Sequence, residues 1–286
     1  MADRVWLITG ASSGFGLAFA EHALSVGDRV VAGARRLQTL KPLVEQAPER
    51  VLAVELDVND SFQIAVAVGA AMKRFGSIDV LVNNAGYGIV GAVEETPENE
   101  LRAQMETNFF GAVAMTRAVL PVMRAQRSGA IANISSMGGQ MSFAGFSAYS
   151  ASKFALEGMS EALAAEMKPF GVKVVIIEPG AFRTGFAGAA LKHMPEMEEY
   201  SETSGRIRAF AKGMDATQAG DPHKAAQALD RALQAEQTPL RLQLGEDAIG
   251  AVEEHAKALL ADLETWRAIG LDTAIAGGLA TASTEA

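Results

Sequence analysis

The chain has 286 residues and a formal net charge of −9, from 25 Lys and Arg against 34 Asp and Glu. Its length suits one large α/β domain or two small ones, and its acidic balance argues against nucleic-acid phosphates as partners. With no Cys there are no disulfides, thiolate nucleophiles or Cys-ligated metals, and the cytoplasm is the default location.

Short β-branched runs alternate with longer helical patterns, the signature of βαβ units and a parallel sheet covered on both faces. Strands are predicted at Val5–Thr9, Arg29–Ala34, Val51–Asp57, Val80–Asn83, Ala130–Ser135, Val172–Glu178 and Leu240–Leu244. Helices are predicted at Gly16–Val26, Ser61–Phe75, Pro97–Gln126, Ala151–Phe170 and Pro222–Ala235, with an amphipathic helix at Glu253–Leu263 and a frayed tail at Gly277–Ala286. Thr96 before Pro97 and Asp221 before Pro222 predict helix caps followed by a proline in the first turn.

No break in composition divides the chain, so the expected fold class is α/β: a single doubly wound Rossmann-type domain over residues 1–286, built on a mostly seven-stranded parallel sheet. Residues 1–184 form its expected core, 185–215 a substrate lid, 216–270 the C-terminal helices and last strand, and 271–286 a flexible tail. The longest charge-free stretch, Ser128–Ser152, is broken throughout by Ser, Gly and Asn, so no membrane span is expected. His22, His193, His223 and His255 are too scattered for a short-range metal motif, and no metal is expected.

Thr9-Gly10-Ala11-Ser12-Ser13-Gly14-Phe15-Gly16 follows the first strand and opens a helix. Free backbone N–H groups and the helix dipole attract phosphate there, and glycine lets a pyrophosphate approach. At the end of the second strand, where a dinucleotide's ribose would lie, stand Arg35 and Arg36 in place of the acidic residue that an NAD site wants. A guanidinium suits a 2′-phosphate, so the reading favours NADP(H) over NAD(H). Asp57 and Val58, ending the third strand, place a carboxylate near the adenine.

Tyr149 and Lys153 are four residues apart, so on a helix they project from one face toward a shared ligand. A nearby ammonium favours phenolate and eases proton exchange with a substrate oxygen. With these residues the chain resembles the short-chain dehydrogenases/reductases, in the subgroup with T-G-x-x-x-G-x-G and Y-x-x-x-K. Asn83-Asn84-Ala85-Gly86 resembles the family's N-N-A-G segment, Ser136 lies in its N-x-S-S segment, and Pro179-Gly180-Ala181-Phe182-Arg183-Thr184 resembles its P-G-x-x-x-T.

The resemblance implies that Tyr149 is the general acid in carbonyl reduction and the general base in alcohol oxidation, with Ser136 hydrogen-bonding the substrate oxygen. Lys153 would hold the nicotinamide ribose and lower the Tyr149 pKa. Asn108 would hold a water leading from Lys153 toward solvent. Asn84, Ala85 and Gly86 would support the cofactor, and Pro179, Gly180 and Thr184 would meet its carboxamide. Ser135 competes for the serine role, but strand alternation sends it to the opposite face and the family register favours Ser136.

Met137, Met141 and Phe143, just past Ser136, together with Phe186 and Met194 of the lid segment, are candidate pocket walls for a hydrophobic ketone, aldehyde or secondary alcohol. Glu178 and Arg183 offer polar contacts of undetermined direction. The reading is therefore an NADP(H)-dependent oxidoreductase acting on a small-molecule carbonyl or alcohol. A sugar-nucleotide epimerase, disfavoured by the glycine spacing, and a non-catalytic NADP(H) sensor are the alternatives, while an enoyl reductase is disfavoured by the Tyr–Lys spacing. The resemblance also implies a homodimer or homotetramer assembled through the long helices.

Overall fold

A computed structural model describes residues 3–214 and 217–275. Its chain runs through strand β1 (Val5–Thr9), helix α1 (Gly14–Ser25), β2 (Arg29–Ala34), α2 (Lys41–Gln46), β3 (Val51–Glu55), α3 (Ser61–Phe75), β4 (Val80–Asn83) and β5 (Gly88–Val90). There follow α4 (Glu98–Met105), α5 (Gly111–Gln126), β6 (Gly129–Ile134), α6 (Ser147–Met167), β7 (Val172–Pro179), β8 (Leu191–His193), α7 (Arg206–Gly213), α8 (Pro222–Gln234), β9 (Arg241–Leu244) and α9 (Glu246–Leu271).

Seven of these strands form one parallel sheet in the order β3-β2-β1-β4-β6-β7-β9. Strand β1 is buried at every residue, and its side chains alternate between two cores. Trp6 and Ile8 join Phe19 of α1 and Leu229 of α8 on one face, while Val5 and Leu7 join Ile64 of α3, Met115 of α5 and Leu163 of α6 on the other. Coverage on both faces explains why the strands read as continuous apolar runs. From β1 the chain winds outward through β2 to β3, then returns to β4 on the other side and continues toward β9. The strand order therefore reverses between β1 and β4, and the crevice at their carboxyl ends is where such sheets bind ligands.

Several local expectations are corrected. Helix α6 starts at Ser147 rather than Ala151, which places Tyr149 and Lys153 on the same helix. Pro97–Gln126 is not one regular helix: a π-turn at Glu106–Phe110 separates α4 from α5. Thr96 does not cap α4, because its hydroxyl donates to the Ala92 carbonyl and Pro97 takes the capping position. Asp221 does cap α8, accepting from the backbone N–H of His223. Strand β3 ends at Glu55, since Asp57 turns its carboxylate onto the Asn59 N–H at 2.9 Å.

Helix α9 spans 26 residues, far beyond the expected Glu253–Leu263. The short β5–β8 pair and helices α2 and α7, of six and eight residues, are too short to stand out from sequence. The expected tail at Gly277–Ala286 lies outside the described residues. Among the described residues, no helix is long and apolar enough to cross a membrane.

Candidate active site

The glycine turn is built for close approach. Gly10 and Gly14 have φ of 65° and 53°, in the left-handed region that suits glycine. A Cβ on Gly16 would stand 2.3 Å from the Gly10 carbonyl oxygen and 2.6 Å from Asn84 Nδ2. The turn is held from β4: Asn84 Nδ2 donates to the Thr9 and Gly10 carbonyls, and the N–H groups of Asn84 and Ala85 both donate to Thr9 Oγ1 at 2.9 Å.

Ser13 is the N-cap of α1, and the first helical bond runs from Leu17 N–H to the Ser13 carbonyl. The N–H groups of Gly14, Phe15 and Gly16 precede that bond and have no intrahelical acceptor, leaving donors for an anion. Thr184 closes the other side of the turn, its Cβ 3.3 Å from where a Cβ on Gly14 would lie. Arg35 and Arg36 follow β2 and are exposed. Val58 is buried and packs against Gly111. These features fit a dinucleotide with its pyrophosphate on the α1 N-terminus.

Tyr149, Lys153 and Ser136 converge across the crevice. Lys153 Nζ donates to the Ile134 carbonyl at 2.7 Å and lies 5.7 Å from the Tyr149 ring centroid. Ser136 accepts from the Gly138 N–H at 3.0 Å, and a Cβ on Gly138 would meet both Ser136 Oγ and Tyr149 Cε1 at 3.4 Å, so the hydroxyl lies close to the phenol ring. Burial pushes the phenol up to about 12, with the Ser136 hydroxyl pulling the other way. Burial likewise pushes the Lys153 amine down to about 8, against the carboxylate of Glu157 one turn along. The expected lowering of the Tyr149 pKa by Lys153 is thus absent here, because desolvation dominates and the ammonium is spent on a carbonyl.

Asn108 lies in the π-turn and is buried. Its Nδ2 donates to the Tyr87 carbonyl at 2.9 Å and to Ser152 Oγ at 3.0 Å, while its Oδ1 accepts from the Tyr87 N–H at 3.1 Å. A Cβ on Gly86 would meet Asn108 Oδ1 at 3.0 Å and Lys153 Nζ at 3.8 Å, so these three groups share one small space.

Ser135 and Ser136 diverge as strand alternation requires. Ser135 is buried on the side of Glu157, beside Gly139. Glu157 and Glu178 are both buried there and share Arg241, whose Nε lies 3.1 Å from Glu157 Oε2 and 3.4 Å from Glu178 Oε1. Gln140 and Gln243 donate to Glu178 at 3.1 and 2.8 Å. Burial pushes the Glu157 carboxyl up to about 7 and raises Glu178, with Arg241 pulling both the other way. Arg183 donates to the Gln218 carbonyl. Pro179 ends β7, and the turn after it is anchored by Asp247 of α9, which accepts from the Ala181 N–H at 2.6 Å.

The pocket candidates divide. The Phe186 ring lies 5.4 Å from the Tyr149 ring, and Met194 packs with Ile89 and Ala148 next to that tyrosine. Met137 and Met141 are half-buried and Phe143 is exposed on the segment leading to α6. Sequence reasoning missed Phe146, whose ring meets Tyr149 edge-on at 6.1 Å, because an isolated aromatic before an unrecognised helix start gives no signal. It also missed Glu95, which is buried, pairs with Arg208 of α7 at 2.8 Å and accepts from the N–H groups of Ala92 and Met197.

The comparisons with known proteins agree with this geometry. The family model for short chain dehydrogenase matches residues 4–195. A solved short-chain dehydrogenase from Streptomyces avermitilis is 50% identical, covers 95% of this chain and 100% of its own, and superposes with a TM-score of 0.90. Oxidoreductase BOA17 of Botryotinia fuckeliana is 40% identical over 272 residues, covering 95% of this chain and 99% of its own. A 3-ketodihydrosphingosine reductase of Bacteroides thetaiotaomicron is 50% identical over 186 residues, 65% of this chain and 66% of that one. The chain therefore belongs to the short-chain dehydrogenase family of oxidoreductases.

Proposed function

We propose that the protein is an NADP(H)-dependent oxidoreductase that interconverts a hydrophobic ketone and its secondary alcohol. The convergence of Ser136, Tyr149 and Lys153 beside a phosphate-sized glycine cradle carries this reading. A bound nicotinamide would supply or accept the hydride. In reduction Tyr149 gives its proton to the substrate oxygen, a step for which a neutral, buried phenol is poised at neutral pH. Ser136 donates to the same oxygen and stabilises the charge that builds there.

Lys153 would hold the ribose of a bound cofactor, and its Nζ, 5.7 Å from the Tyr149 ring centroid, is near enough to the phenol to ease its reprotonation. Asn108 fixes the π-turn against α6 and links this set to Tyr87. Gly10 to Gly16 would hold the pyrophosphate, and Arg35 with Arg36 would meet a 2′-phosphate. Asp57 and Val58 would flank the adenine, Asn84 to Gly86 would back the cofactor, and Pro179, Gly180 and Thr184 would meet the nicotinamide carboxamide. Solved relatives hold NAD in one case and NADP or NADPH in others, so the choice of NADP rests on Arg35.

Phe146, Phe186 and Met194 give the substrate an apolar wall beside the phenol, with Met137, Met141 and Phe143 on its approach. The name of the 3-ketodihydrosphingosine reductase relative points to a ketone on a long alkyl chain as the first substrate to try. Such a chain suits an apolar wall with few polar groups. Location in the cytoplasm, a homodimer or homotetramer through α4, α5 and α6, and residues 185–215 acting as the lid of one 1–286 domain complete the proposal.

The experiment follows NADPH absorbance with a panel of long-chain 3-keto alcohols and simpler ketones. Turnover that Tyr149→Phe lowers by about 10²-fold or more, with NADPH binding retained, supports the reading. Arg35→Asp should move the NADPH/NADH preference by about tenfold or more toward NADH. An unchanged preference removes Arg35 as the selector, and tight NADPH binding with no turnover on any substrate favours a cofactor sensor.

A further inference from the structure

Helix α9 leaves the body of the protein. Ala248 is buried and Val252 and His255 are half-buried, but from Ala256 to Leu271 every residue is exposed. That free stretch is not polar. Ile249, Val252, Ala256, Leu259, Leu263 and Trp266 recur at alternating steps of three and four, which is a heptad seam on one side of the helix. Exposure of Leu259 is 56%, of Leu263 54% and of Trp266 62%, with Leu260 beside them at 66%. A solvated helix would carry charge at these positions, and a contiguous apolar stripe of this length marks a contact surface.

Charge placement selects the occupant. Glu253 and Arg267 lie on the same edge of the seam, each seven residues from Leu260, and in the single chain each pairs within its own helix, with Lys257 and Glu264 in exposed pairs of little energetic weight. A second copy laid antiparallel, with the two-fold axis near Leu260, sets Glu253 of each helix against Arg267 of the other. The same register lays Trp266 over the small Ala256 of the second copy and Leu259 against Leu263. Antiparallel helix dipoles favour this arrangement as well. Asp262 falls on the opposite rim, where the two-fold axis brings it near its own copy and water screens the two carboxylates. A surface complementary to itself about a two-fold axis is an isologous interface.

We propose that α9 is a dimerisation arm that pairs with α9 of a second copy as an antiparallel two-helix coiled coil. This contact is separate from any through α4, α5 and α6 and independent of the cofactor reading.

The mass of the full chain is measured by light scattering and sedimentation at several concentrations, for the native protein and Leu259→Glu/Leu263→Glu. Native protein that halves its mass in the double variant, with native circular dichroism and NADPH binding retained, is the expected result. Arg267→Glu should weaken the assembly and Glu253→Arg/Arg267→Glu should restore it, an outcome that loss of helix stability alone does not give. The two tryptophans add an independent signal: Trp6 is fully buried, so a red shift of emission on dilution reports Trp266 leaving the interface. A monomeric native chain, including one whose own C-terminal residues cover the seam, or an unchanged mass in Leu259→Glu/Leu263→Glu, overturns the proposal.

Discussion

Asn108 and Ser152 are joined by a 3.0 Å hydrogen bond between two helices 44 residues apart in sequence. The donor sits in the π-turn between α4 and α5, and the acceptor immediately precedes Lys153 on α6. A regular α-helix through Glu106–Phe110 would rotate the Asn108 side chain relative to this partner, so the widened turn aims it. The Ser152 hydroxyl donates in turn to the Tyr149 carbonyl at 2.7 Å.

Asn108→Ala removes the side-chain partner of both Tyr87 backbone groups and of Ser152 in a buried space. The expected cost is about 2–4 kcal/mol of stability, since each unsatisfied buried group costs about 1–3 kcal/mol and some recover partners. Urea unfolding measures it, and a midpoint equal to that of the native protein would show that the network is dispensable.

Gly16→Ala places a methyl 2.3 Å from the Gly10 carbonyl oxygen, a backbone atom that cannot swing aside. Overpacking of about 1–3 kcal/mol is expected together with loss of NADPH affinity, because relief requires the turn to open. Gly158→Ala, with nothing within 4 Å of its Cβ position in the interior of α6, is the contrasting variant and should be neutral to stabilising. Calorimetry of both variants with and without NADPH reads the difference.

Two buried groups on α6 predict opposite pH dependences. Lys153 is pushed down to about 8 from 10.5, so the stability contributed by its neutral form is present above 10.5 and lost as pH falls through about 8. Glu157 is pushed up to about 7 from 4.5, so its contribution is present below 4.5 and lost as pH rises through about 7. Lys153→Met should gain thermal stability relative to the native protein below pH 8, and Glu157→Gln should gain it above pH 7. Melting temperatures from about pH 4 to about pH 11 span both windows, and curves for native and variant proteins that stay parallel throughout would contradict the assignment.

Arg208→Met strands a buried carboxylate. Burial acts to raise the Glu95 pKa, but the Met197 and Ala92 N–H groups and Arg208 outweigh it and hold the carboxyl below its usual range. Removing one partner of such a pair costs about 3–5 kcal/mol. Because Arg208 belongs to α7 and Met197 to the chain leading into it, the loss should appear first as faster proteolysis within residues 185–213. Limited proteolysis with mapped cleavage sites measures it, and cleavage spread evenly over the chain would refute a local tie.

The sheet and the glycine turn were legible in sequence because both are local. Period-two burial on both faces writes itself as β-branched runs such as Val5–Thr9, and a turn that tolerates no Cβ must spell glycine at Gly10, Gly14 and Gly16. The family resemblance pointed to Ser136, Tyr149, Lys153 and Asn108, whose roles belong to the proposed function. What sequence could not supply was pairing across distance. The burial that lifts Tyr149 and depresses Lys153, the Asn108–Ser152 bridge, the Glu157–Glu178–Arg241 cluster and the Glu95–Arg208 tie all join residues from separate elements. Desolvation and buried hydrogen bonding depend on which elements pack together, and neither leaves a spacing along the chain from which it can be read.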